Sequence, residues 1–151
     1  MLEKNWIDAA ISPNKVGGAF CMNIHPLKES RVLTNFSNNF MSIKILSHEL
    51  GHAYHGDCIF KEKMLNSSYP SPVAETASIF CETIIKNSAL ADGTKEERFA
   101  LLENIICDAG YQTVDIYSRF LFEKSFFEKR ENSVLSVEEI KELMINAQKE
   151  A

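Results

Sequence analysis

Apolar residues at Phe40, Ile43, Leu46, Leu50 and Ala53 recur three and four positions apart, the period of one α-helical face. Ser37, Asn38 or Asn39 can cap the start of this helix, and Gly56 with Asp57 can end it. Within it lies His48-Glu49-Leu50-Gly51-His52. One helical turn separates the two histidines, so both imidazoles can reach one tetrahedral ion at ~2.0–2.1 Å. Glu49 stands about 100° round the helix, at the border of that face. It is placed to take a proton from a metal-bound water and not to bind the metal.

Two histidines make an incomplete site, because a catalytic zinc usually has three protein ligands and one open position. His55 shares the face of His48 and His52 but lies roughly 10 Å from His48 along a straight helix. It reads as a supporting or packing residue. Glu75 sits near the start of the next helix, in Val73-Ala74-Glu75-Thr76-Ala77, among small residues that allow close helix–helix approach. On spacing alone it is equally a third ligand or a helix-start carboxylate favoured by the macrodipole. Glu82, seven residues on, can hydrogen-bond a ligating histidine or stay in solvent.

The flanks are ordinary by comparison. Before the helix, Ala19 to Ile24 and Arg31 to Phe36 read as two short strands, with Ser12-Pro13-Asn14-Lys15-Val16-Gly17-Gly18 as turn chemistry. Beyond it, Ser71 can cap and Pro72 can occupy the first position of a helix running to about Ala91. Thr94 with Glu97 and Ser136 with Glu139 are capping boxes. Between them Phe99, Leu102, Ile106, Ala109, Thr113, Ile116, Phe120 and Phe127 keep helical spacing, with Gly110 able to bend the run. The fold class expected is mainly α (α+β), a helical core with a short two-stranded ribbon before the histidine helix.

Composition narrows the function classes. With 151 residues and 45% hydrophobic content the chain can bury a core. A net charge of −5 without a Lys/Arg-dense stretch argues against nucleic acid. No apolar run is long enough for a membrane helix. Cys21, Cys58, Cys81 and Cys107 are scattered and read as reduced thiols, so a cytoplasmic location is expected.

The stretch from His48 to His55, followed by Ala74-Glu75-Thr76-Ala77-Ser78-Ile79-Phe80, closely resembles oligoendopeptidase F, in the thimet oligopeptidase superfamily of zinc peptidases. Trp6-Ile7-Asp8-Ala9, Lys15 to Cys21 and Val32-Leu33-Thr34-Asn35-Phe36 resemble the segment that precedes the zinc helix there. The likeness covers nearly the whole chain. It implies a zincin-like core with one Zn2+ per chain held by His48, His52 and Glu75, with Glu49 as general base. It also implies short peptide substrates in a deep channel, hydrolysed by Glu-assisted attack of zinc-bound water. The strand at Val32–Phe36 would be an edge that receives the substrate backbone.

Members of that family are several times longer. Residues 1–151 are therefore expected to form a single zinc-binding fragment of a larger catalytic domain, lacking the downstream segment that stabilises the tetrahedral intermediate. No histidine follows His55, and Tyr111 and Tyr117 do not match that segment. The alternative function is a non-catalytic metal-binding helical module; a helical interaction domain with an accidental motif is a third. If Phe120, Phe122, Phe126 and Phe127 face other parts of a full enzyme, truncation exposes them and self-association follows.

Overall fold

A computed structural model describes residues 1–151, which divide into two compact units, Met1–Asp92 and Gly93–Ala151. The first contains strands β1 (Ile7–Asp8), β2 (Phe20–Ile24) and β3 (Glu29–Leu33), then helices α1 (Phe40–Ile59) and α2 (Ser71–Asp92). The fold class is as expected, mainly helical with a small sheet, but the ribbon carries a third strand. The order is β1-β3-β2, with β1 parallel and β2 antiparallel to β3.

That order corrects the reading of residues 32–36 as an edge for Val32 and Leu33, which pair on both sides, whereas residues 34–36 pair with residues 8–9 alone. The N–H groups of Val32, Thr34 and Phe36 donate to Trp6, Asp8 and Ala9 carbonyls at 2.9, 2.9 and 3.1 Å. Both sides of β3 are thus occupied, and β2 is the long open edge. Because Val32 donates to Trp6, its pairing with Cys21 across β2 is of the non-hydrogen-bonded kind. The backbone N–H and C=O of Cys21, and of Asn23 two residues on, therefore face away from β3 toward the free side. Residues 7–8 were hard to read as a strand because two residues carry no alternation.

Lys15 ties this region together. Its side chain is 5% exposed, and Nζ donates to the Asp8, Ala10 and Thr34 carbonyls at 2.9, 2.8 and 2.8 Å and to Asp8 Oδ1 at 2.9 Å.

Helix α1 begins as its sequence requires: Asn39 is extended and its side chain accepts from the Ser42 N–H at 2.8 Å. Gly56, expected to end the helix, lies inside it. A Cβ there would collide with the Asn23 side chain, so glycine permits β2 to lie close to α1. Of the apolar positions expected on the buried face of α1, only Ala53 is fully buried. Ser47, Gly51, Ala53 and Gly56 are buried, whereas Ile43 is exposed and Leu46 and Leu50 are half-buried. Small residues, not the apolar stripe, make the close contacts. Ser71 opens α2 as its first residue rather than as its cap, since Val73 and Ala74 donate to the Pro70 carbonyl.

The second unit contains α3 (Lys95–Gly110), α4 (Ile116–Arg130) and α5 (Val137–Glu150). Both capping boxes form, at Thr94–Glu97 and Ser136–Glu139. Residues Tyr111–Asp115 between α3 and α4 form a π-helical segment, so the run predicted as one helix is widened directly after Gly110 instead of simply bent. Phe122 and Phe126 are half-buried with their rings tilted against each other, while Phe120 and Phe127 remain 60% and 61% exposed. No helix is long and apolar enough to cross a membrane.

Candidate metal centre

Helices α1 and α2 meet backbone to backbone. An added Cβ on Gly51 would lie 2.7 Å from both the Ala77 carbonyl oxygen and the Ser78 Cα. This approach brings the start of α2 against the histidine face of α1.

His48 Nε2 and His52 Nε2 are 3.2 Å apart, and Glu75 Oε2 lies 3.2 Å from the first and 3.6 Å from the second. Four donors placed ~2.0–2.1 Å from a tetrahedral ion are ~3.3–3.4 Å from one another. The triangle has the size of one face of such a tetrahedron. Its chemistry agrees. His48 Nδ1 lies 2.7 Å from Glu82 Oε1, and an ionised carboxylate only accepts, so the imidazole proton sits on Nδ1. In its neutral form His48 carries its lone pair on Nε2, toward a second imidazole nitrogen and a carboxylate oxygen. A cation among three such donor atoms would offset their mutual repulsion.

Burial, reinforced by the charge of His48 and His55 and opposed by Glu75, depresses the His52 pKa and favours its neutral, ligating form. Glu49 is 7% exposed, and burial raises its carboxyl above the usual range; His48 opposes that shift and Glu75 adds to it. A carboxylate raised in this way is a stronger proton acceptor than an exposed glutamate.

The structure brings together His48, His52 and Glu75, with Glu82 behind His48. His55 stays apart: its ring packs on Tyr69 with centroids 4.4 Å apart, and its Nδ1 is buried without a partner. Sequence reasoning missed Ser78. This fully buried residue sets its hydroxyl 2.8 Å from Glu75 Oε2 and 2.9 Å from the Glu75 carbonyl, sharing one proton between them. Its place three residues after Glu75 was the available signal. Asn23 also escaped notice; its amide accepts from Ser30 Oγ at 2.7 Å and donates to the His52 carbonyl at 3.4 Å, linking the sheet to the site.

The family model for peptidase family M3 matches residues 1–151. The chain is 31% identical over 140 residues to the chromosomal oligoendopeptidase F of Lactococcus lactis subsp. cremoris, covering 90% of this chain and 23% of that protein. It is 34% identical over 83 residues to an oligoendopeptidase F homolog of Mycoplasma genitalium, covering 54% of this chain and 14% of that one. Among solved structures, a Bacillus anthracis protein assigned as an oligoendopeptidase F shares the fold with a TM-score of 0.78 at 21% identity, over 99% of this chain and 27% of its own. A protein from Chlamydophila abortus assigned as a peptidase gives a TM-score of 0.72 at 24% identity, over 97% and 25%. The chain spans about a quarter or less of the length of each of these relatives.

Proposed function

The chain belongs to peptidase family M3, and from that premise we propose that it is the zinc-holding segment of a catalytic domain that hydrolyses peptide bonds in short oligopeptides. The donor triangle carries this reading: two imidazole nitrogens and one carboxylate oxygen separated by 3.2–3.6 Å. His48, His52 and Glu75 would hold the ion. When bound, zinc supplies Lewis acidity, polarising a carbonyl and acidifying water.

The remaining tasks belong to this chain's own side chains. Glu49, buried beside the triangle, takes a proton from the attacking water and passes it to the departing amine. Glu82 keeps the His48 proton on Nδ1, and Ser78 holds Glu75 Oε2 toward the histidines. The open edge of β2 offers the backbone groups of Cys21 and Asn23 to an extended peptide as an added strand. This edge takes the place of Val32 and Leu33 in the one expected at residues 32–36.

Both compact units are assigned to one piece of the catalytic domain. Exposed Phe120 and Phe127 support contact with further polypeptide or with a second copy.

Atomic absorption after dialysis against zinc tests the reading. One zinc per chain is expected, with loss of that zinc in Glu75→Ala. Absence of stoichiometric zinc in the wild type removes the reading. Cleavage of a quenched fluorescent peptide by the chain and by its parent, with and without chelator, then separates an active segment from a metal-binding module that needs the rest of the enzyme.

A further inference from the structure

Glu82 divides its two oxygens between two helices. Oε1 meets His48 Nδ1 at 2.7 Å, while Oε2 faces Lys86 Nζ at 3.3 Å and Lys44 Nζ at 3.8 Å. All three side chains are mostly withdrawn from water, at 13% exposure for Glu82, 18% for Lys44 and 19% for Lys86. Lys44 precedes His48 by one turn on α1, and Lys86 follows Glu82 by one turn on α2. An exposed i, i+4 pair contributes little, because water screens it and its side chains lose entropy. Here both partners are mostly buried, and a second ammonium arrives from the neighbouring helix.

We propose that Lys86 and Lys44 are positioning residues that fix Glu82 and, through it, hold the His48 imidazole in the orientation and Nδ1–H tautomer that ligate a metal. The inference rests on the metal reading above. A glutamate has three rotatable bonds, and a single hydrogen bond from His48 leaves its other oxygen free to swing. The two ammonium groups pin that oxygen, so Oε1 can only face His48. They also offset charge. Glu49, Glu75 and Glu82 bring three carboxylates to two imidazoles, and two lysines balance part of that excess before any cation arrives. Lys44 stands on the histidine helix itself, so the clamp also sets the rotation of α1 against α2.

The test is zinc affinity of the 151-residue chain, measured by competition with a chromophoric chelator. Glu82→Gln should weaken binding roughly ten- to a hundredfold, the range for losing a partner of a ligating histidine. Lys86→Met should weaken it about five- to tenfold, and Lys86→Arg should restore most of the loss. In the Glu82→Gln background, Lys86→Met should add nothing, since its effect passes through the carboxylate. Proton NMR of the metal-free chain supplies a second readout: the exchange-protected Nδ1 proton of His48 should be visible in the wild type and lost in Lys86→Met. Should Lys86→Met unfold, Lys44→Met carries the same measurements with the same expected direction. Wild-type affinity in Lys86→Met, or an equal loss in both backgrounds, overturns the inference and leaves the metal reading intact. A wild-type chain that takes no zinc overturns both.

Discussion

The α-carbon of Ser78 lies only 2.7 Å from the position a methyl group on Gly51 would take. Hydrogen at position 51 lets α1 and α2 touch, and that contact puts Glu75 within 3.2 Å of His48 Nε2. Gly51→Ala should therefore part the helices. Overpacking of this kind costs ~1–3 kcal/mol, and alanine's better helix propensity returns up to about 1 kcal/mol. Thermal melts should show a lower Tm, and zinc should raise it less than in the wild type. An unchanged melt and undiminished zinc stabilisation would show that the helices have room to spare.

Glu49→Gln should separate stability from chemistry. Burial raises the Glu49 carboxyl in the folded state. The resulting stabilisation is complete below the unfolded value of about 4.3 and is lost as pH rises through the higher folded value. At pH ~7 the metal-free variant should thus melt above the wild type, with the gap closing toward pH ~4. It should keep its zinc while cleavage by the parent enzyme falls at least about a hundredfold. Cleavage at the wild-type rate would remove Glu49 from the mechanism.

Cys21 should resist alkylation. Burial, aided by the charge of Glu49, pushes its thiol up to about 12. At pH 8 a far smaller fraction of Cys21 than of an unperturbed thiol is thiolate. Iodoacetamide labelling followed by peptide mass mapping should find exposed Cys58 and Cys107 modified well before Cys21. Labelling of Cys21 at the rate of Cys107 would contradict the packing of β2 on α1.

Lys15→Met should loosen the sheet. The Ala10 and Thr34 carbonyls lose the Nζ donor while the Asp8 carbonyl keeps the Thr34 N–H, and leaving the part-buried Thr34 acceptor unsatisfied costs ~1–3 kcal/mol. The hydrogen bond from Lys15 also lowers the Asp8 pKa. That part of the stability is present above the unfolded value of ~3.9 and disappears as pH falls through the lower folded one. The wild type's advantage in denaturant melts should therefore be largest near neutral pH and shrink in acid. A pH-independent difference would show that Asp8 takes no part.

What could be read from the chain was local. The period of α1, the Asn39 cap and both capping boxes depend on residues within one turn of each other, as does the shared face of His48 and His52. Glu82 was legible as a candidate for the same reason, since it recurs on the face of Glu75. The i, i+4 spacings of Lys44 to His48 and of Glu82 to Lys86 were also present, yet nothing local distinguishes a buried pair from a solvated one.

Long-range contact decided the remainder. Gly56 has the residue type of a helix end yet lies within α1 beside Asn23, and the occupation of both sides of Val32 and Leu33 depends on residues 6–8 and 20–21. The sequence by itself determined that two imidazoles share one helical face with a carboxylate at its border, because helix geometry fixes that at a spacing of four. Only the tertiary structure decided that Glu75 completes the set. Its distance from the histidines depends on two helices meeting at Gly51 and Ser78, and no property of residue 75 or its neighbours alone sets that separation.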